Sequence, residues 1–462
     1  MRVIALFFLS TVAVFPASGE ARDAADPLNT EALLATRPRA AGSGCLSSLP
    51  DTRLSAAEAV DLALCNHPQT RELWAAARAQ AAQVGIARGA WLPGLGGAAS
   101  TTRYQYESNP YTRNTASITL SWLLLDAGLR AANAENALQL LQAALATQDA
   151  TLQSLMLATL QAYYSAQATQ AAVLSSSQAE RSAAEALRAA RARYDAGVAT
   201  PADRLQAQTA LSQAQLARIR AEGEARNALG TLAYALGFTA PQHIVLAELP
   251  TLPGDTRFQE DVDGMIEEAM RRRPDLRAAE AQARAYTASV DAARAQGLPS
   301  LSLNAGPLWQ ENRQDSGSSI VRGNSLGVTL NVPIFSGFDT SYRVRAAEAQ
   351  AALRLAQRDR LRNQVALDVW KAYHSLATAT QSLQATADLV ASAEQSERVA
   401  LGRYKAGVGT VLDLLAAQSA LASARLQRIQ AQLEWNIYRA SLAQSMGVLD
   451  GALPVSPAEG NQ

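Results

Sequence analysis

A chain of 462 residues ordinarily divides into two or three domains, and this one sets 41 basic against 41 acidic residues, so no charge excess marks a nucleic-acid binder. Its basic charge is almost all arginine, Lys371 and Lys405 being its lysines. Abundant alanine with only 5% aromatic residues suits long helices packed through small side chains and argues against a compact enzyme core.

The first predicted element is an address. Arg2 gives a positive start, Val3–Phe15 an apolar run, and Ala17 and Gly19 the small residues before a cleavage point, which together predict a signal peptide over 1–19. Such a run is too short to cross a hydrocarbon core of about 30 Å as a helix, and no later apolar stretch reaches the roughly 18 residues a spanning helix needs. Membrane insertion of the remainder therefore has to use strands. An N-terminal segment, 20–53, holds Cys45, and Cys65 follows in the next element. In an oxidising periplasm the two can close a modest loop at the entry. The alternatives are two free structural thiols, or a lipid-modified Cys45, which lacks an apolar segment directly before Ser43-Gly44-Cys45. His67, His243 and His374 lie too far apart for metal-ligand spacing, and no cofactor motif appears.

From residue 54 the chain is written twice. Arg193-Tyr194-Asp195-Ala196-Gly197-Val198-Ala199-Thr200 returns as Arg403-Tyr404-Lys405-Ala406-Gly407-Val408-Gly409-Thr410, and Asp203, Leu205, Ala207 and Gln208 return as Asp413, Leu415, Ala417 and Gln418. His67-Pro68 is echoed by Arg273-Pro274, Leu92-Pro93 by Leu298-Pro299, and Leu236-Gly237 by Met446-Gly447. The offset is 206 for the first two pairs and 210 for the rest, a four-residue difference that a loop before the long helix would absorb. The first copy spans 54–237 and the second 259–447, with a linker at 238–258 and a tail at 448–462.

Each copy reads helix, hairpin, very long helix, tight turn, returning helix. The hairpins are expected at 94–124 and 299–334. In the first, Ile118, Leu120, Trp122 and Leu124 alternate with small polar residues; in the second, Leu301, Leu303 and Ala305, then Leu326, Val328, Leu330 and Val332, do the same. Tyr104 and Tyr106 share a face of the leading strand. The long helices are expected at 127–196 and 338–406. Leu129–Ala196 contains no Gly or Pro, and at about 1.5 Å per residue it makes a rod near 100 Å. The returning helices are expected at 201–236 and 410–446, the second with a seam of Leu426, Ile429, Leu433 and Ile437. Gly197 and Gly407 end the outgoing rods, Thr200 and Thr410 fall where an N-cap belongs, and Pro201 takes the first helical position.

One apolar and one small polar face is the pattern of a transmembrane barrel wall. Four strands cannot close a barrel, and an open edge in lipid leaves backbone groups unpaired at several kcal/mol each, so several chains must share the wall.

On these residues the chain resembles the TolC family of outer-membrane efflux and type I secretion channels. The duplicated order, the Arg-Tyr-x-Ala-Gly-Val-x-Thr-x-x-Asp-x-Leu tips, and the Leu-Pro and Leu-Gly landmarks carry the resemblance. It implies a mainly helical fold with a small transmembrane β part: a homotrimer with a twelve-stranded β-barrel and a periplasmic α-barrel. It also implies partners: a periplasmic adaptor, an inner-membrane transporter and outer-membrane lipid. By the same resemblance Gly197, Val198, Thr200, Pro201, Gly407, Val408 and Thr410 form the adaptor-docking tips, and Asp203, Tyr404 and Asp413 belong to the periplasmic constriction. Two departures weaken that lock, since Ala416 and Gly409 stand where an acidic and a basic partner are expected; Asp413 either lines the constriction or is a solvated helix-start carboxylate. The implied function is a passive exit duct, without enzymatic activity, most simply for type I secretion of a protein. Drug or solvent efflux is the alternative, and a periplasmic adaptor, which would have one helical hairpin, the distant one.

Overall fold

The computed structural model describes residues 26–34, 53–105, 110–239, 244–247, 261–314 and 317–449. The expected signal peptide, Cys45, Tyr106, His243, most of the linker and nearly all of the tail lie outside the described residues. Among the described residues no cysteine is free, and Cys65 sits in the first helix.

The elements in chain order are α1 (Ala56–Asn66), α2 (Pro68–Gly89), β1 (Gly94–Tyr104), β2 (Tyr111–Leu125), α3 (Leu129–Asp195) and α4 (Pro201–Ala235), then α5 (Val262–Arg272), α6 (Pro274–Ala295), β3 (Ser300–Gln314), β4 (Gly317–Asn331), α7 (Asp339–Lys405) and α8 (Val411–Ser445). Each helix has a counterpart of equal length: 11 residues in α1 and α5, 22 in α2 and α6, 67 in α3 and α7, 35 in α4 and α8. The four extra residues of the second copy fall at one junction. Asp126–Gly128 joins β2 to α3, whereas Val332–Phe338 joins β4 to α7.

Two compact units form, and each draws on both copies. The reason is the sheet: its order is β1-β2-β3-β4, and β2 pairs antiparallel with β3, so the two hairpins fuse into one surface.

The unit built from Arg78–Leu138 and Ala288–Val344 holds that sheet. Cross-strand partners share a face, which puts Leu95, Leu120, Ala305 and Leu326 in one row and Trp122, Leu303 and Val328 in the next. The expected alternation fails at one point. A bulge between Leu123 and Leu125 drops Leu124 from the ladder, and Leu125 takes the place opposite Leu301. Where β2 ends, Ala127 and Gly128 adopt positive φ (50° and 93°) and turn the chain into α3. The Asp126 carboxylate accepts the Arg130 backbone N–H (2.8 Å) and its Nε (2.9 Å). Arg130 also donates to the Leu123 carbonyl (2.6 Å), and its guanidinium lies 4.3 Å over the Trp91 ring. In the second copy Ser336 and Thr340 occupy the equivalent places, hydroxyl to hydroxyl at 3.3 Å.

The second unit contains Gln139–Thr287 and the chain beyond Arg345. Here the repeat landmarks meet. The helix breaks at His67-Pro68 and Arg273-Pro274 receive Gly237 and Gly447, whose φ values are +81° and +74°. A Cβ on Gly237 would lie 2.7 Å from the Asn66 carbonyl carbon, so the close approach requires glycine. Buried residues of α1, α3 and α4 form one core, centred on Tyr163, whose hydroxyl donates to the Leu54 carbonyl at 2.9 Å. A second core joins α5, α7 and α8 through Val365, Val369, Ala431, Trp435 and Leu442. Of the expected α8 seam, Leu433 packs against the first core and Leu426 is 43% exposed in the single chain, while Ala424, Ala431, Trp435 and Leu442 are buried.

Candidate functional site

Two places carry the chemistry that a sequence of this kind can offer, the sheet and the pair of helix turns.

The sheet presents an apolar face without cover from its own chain. Leu95 is 73% exposed, Leu326 78% and Leu330 62%, and Ile118, Trp122 and Val328 join them. An exposed apolar surface of this extent marks contact with lipid or another chain. The rows from Leu301–Leu330 to Trp309–Arg322 cover nine residues of β3, eight steps or roughly 26 Å along a strand before tilt. That suits a barrel's apolar band of about 25 Å. Aromatic residues stand at both ends, Trp309 at one and Trp91, Trp122, Phe335 and Phe338 at the other; Trp122 Nε1 donates to the Trp91 carbonyl at 3.0 Å. Along the band the opposite face carries Gly96, Ala98, Ser117, Thr119, Asn304, Gly327 and Thr329, mostly small or uncharged polar side chains beside Leu308, and nearer the hairpin turns Tyr104, Tyr111 and Arg113. β1 and β4 are the sheet's two edges. No helix among the described residues is long and apolar enough to cross a membrane.

The turns are built alike. After α3, Gly197 N–H donates to the Tyr194 carbonyl (2.9 Å) and Val198 N–H to the Arg193 carbonyl (3.0 Å); Gly407 and Val408 repeat this on Tyr404 and Arg403. Gly197 and Gly407 have φ of +75° and +79°, the left-handed close of a helix C-terminus. Pro201 opens α4. Thr200 and Thr410 are N-caps, and Asp203 and Asp413 complete capping boxes. Asp203 accepts the Thr200 N–H and hydroxyl, both at 2.9 Å; Asp413 accepts the Thr410 N–H at 3.4 Å, and its own N–H donates to Thr410 Oγ1 at 3.1 Å.

Those hydrogen bonds, led by the Thr200 backbone, hold the Asp203 carboxyl below the ordinary value of 3.8. The depressed value means its contribution is fully present above the ordinary carboxylate range and is lost only as the pH falls through the lower, folded value. Amide exchange at the α4 start, corrected for intrinsic rates, should therefore stay flat from about pH 5 to 8 and rise only in stronger acid. A rise between those values would contradict this cap.

The third expected residue, Tyr404, is 3% exposed and packs with Ala186, Leu187, Ala207, Val411 and Leu414, so the two turns share one core. Its hydroxyl is buried without a hydrogen-bond partner among the described residues. Burial pushes that hydroxyl up, with the Arg193 guanidinium opposing. Arg193 was not among the expected site residues, although both copies carry an arginine there. It lies 4.9 Å over the Tyr404 ring and donates to the Tyr404 carbonyl at 3.0 Å, tying one turn to the other. Asp203, Tyr404 and Asp413 are thus brought to one end of the helices, each already serving that end's own structure.

Asp413 can be tested for more than capping. Asp413→Asn keeps an acceptor for Thr410 and removes the charge, while Asp413→Ala removes both and breaks the capping box. A carboxylate ring in a constriction predicts that both variants raise resting conductance, or relieve cation block, in planar bilayers. Wild-type conductance and block in Asp413→Asn would leave the residue a cap alone.

The comparisons agree with this geometry. The family model described as outer membrane efflux protein matches residues 59–238 and 265–448. Protein CyaE of Bordetella pertussis is 35% identical over 387 residues, 81% of this chain and 80% of its own. The toluene efflux pump outer membrane protein TtgC of Pseudomonas putida is 28% identical over 60% of this chain and 58% of its own. Among solved structures, the outer-membrane channel OprN aligns with a TM-score of 0.73 at 22% identity, covering 85% of this chain and 89% of that one. The outer membrane protein VceC from Vibrio cholerae also aligns at 0.73, with 20% identity, over 85% and 96%.

Proposed function

The chain belongs to the outer membrane efflux protein family, and from that premise we propose that three copies form one passive exit duct for a polypeptide, served by a periplasmic adaptor and an inner-membrane ABC transporter as in type I secretion. In broad terms it is an outer-membrane channel component of a tripartite export system.

The observation that carries the proposal is the sheet with two open edges. Unpaired strand edges are untenable in lipid, and β4 of one copy meeting β1 of the next satisfies both. Three copies give twelve strands, within the range of outer-membrane barrels. The glycine turns, with Val198 and Val408 at 65% and 69% exposure, offer an apolar tip for an adaptor.

Two observations bear on the cargo. Along the apolar band the sheet's opposite face carries mostly small side chains, with Tyr104, Tyr111 and Arg113 standing on it toward the hairpin turns. The match to the relative named for toluene efflux spans only 58% of that protein, so its name is a weak guide to cargo. That name nevertheless supports small-molecule efflux as the second reading. Deleting the gene and comparing the extracellular proteome with solvent and drug sensitivity separates them. Loss of one or a few extracellular proteins at unchanged sensitivity is expected; heightened sensitivity with an intact extracellular proteome would put efflux in its place.

A further inference from the structure

The apolar face of the sheet does not stay apolar to its end. Beyond the row that pairs Trp309 with Arg322, the same face carries Arg313 on β3 and Arg103 on β1, all toward the hairpin turns. Cross-strand register places them there, since Ala99, Ala116, Trp309 and Arg322 share a row, and Arg103, Thr112, Arg313 and Ser318 share the second row beyond it. The face's acid in this zone is Glu311, which accepts from Asn114 Nδ2 at 2.8 Å and meets Arg313 at 3.4 Å. Arg103 and Arg322 have no carboxylate partner among the described residues. Among the described residues of this face, three guanidinium groups stand against one already engaged carboxylate, a cationic set directly above a surface built for acyl chains.

We propose that this rim binds the phosphate groups of an anionic glycolipid in the outer leaflet, with Arg103, Arg313 and Arg322 as donors and Trp309 at the headgroup boundary. Guanidinium presents a planar fork of N–H donors matched to phosphate oxygens. Each arginine held near an anionic headgroup layer adds to the attraction, and salt screens it. An indole prefers the depth where acyl chain gives way to headgroup. The inference rests on the sheet's apolar face lying against lipid and is independent of cargo and copy number.

The test uses the full-length protein in detergent, titrated with bisphosphorylated lipid A and with its dephosphorylated form, bound lipid being counted by native mass spectrometry. Arg103→Gln/Arg322→Gln should need about ten- to thirty-fold more bisphosphorylated lipid for half occupancy, while both proteins bind the dephosphorylated lipid alike. Raising salt from about 0.05 to about 0.5 M should weaken wild-type binding of the phosphorylated lipid only, a readout that stands even if the double variant assembles poorly. Identical titrations for wild type and variant, or salt-independent binding, would overturn the proposal. Displacement of the lipid by equimolar inorganic phosphate would show a simple phosphate site and overturn it as well. Failure of the wild type to take up any lipid would instead sink the membrane-wall reading beneath it.

Discussion

A Gly306→Ala variant is expected to accumulate several-fold less assembled protein in the outer membrane than wild type, with a lower thermal midpoint. Gly306 lies on β3 between the Ala305 pair with Leu120 and the Leu308 pair with Ser117. A Cβ there would sit 1.8 Å from the Ile118 carbonyl oxygen, so β2 and β3 must move apart to admit it. Overpacking of this kind costs about 1–3 kcal/mol where side chains can yield, and here the obstacle is backbone. The damage falls on the ladder that joins the two hairpins into one sheet. Gly327→Ala is the matched control. It lies one strand over, paired with Asn304, and its Cβ would meet nothing within 4 Å. Equal assembly and equal midpoints for the two variants would show that the β2–β3 approach is looser than described.

Arg130→Ala should be nearly as damaging. Its ion pair with Asp126 is buried, the side chains being 6% and 7% exposed, and it also donates to the carbonyls of Leu123 and Leu124. Removing one partner strands a buried carboxylate, which costs about 3–5 kcal/mol. The strand-to-helix turn would open where Ala127 already holds an unfavourable positive φ. Asp126→Asn/Arg130→Met, which removes both charges, should recover much of the loss, because the cost lies in the orphaned charge more than in the missing attraction. Protease cleavage near residues 123–130 in Arg130→Ala, absent from the double variant, is the expected sign. Wild-type resistance in Arg130→Ala would mean that the junction is held by other contacts.

The sequence was most legible where local chemistry dictates geometry. Gly197 and Gly407 specify left-handed helix ends, Thr200 and Thr410 specify caps, and the two copies reproduce helix lengths residue for residue. The place of the four extra residues was legible only as an interval, between the Leu-Pro landmark and the long helix. Partners distant along the chain were not legible. Arg193 meets Tyr404, 211 residues away, and Gly237 meets Asn66, because packing and not local propensity sets those encounters. The Leu123–Leu125 bulge likewise leaves no trace in an alternation that is apolar at Leu123, Leu124 and Leu125 alike.

The central claim is that one chain supplies only part of a membrane wall. Native mass spectrometry of the detergent-extracted protein tests it most directly. The account predicts a single assembly of three copies that survives until heating; a stable, monodisperse single chain that still spans a bilayer would contradict it.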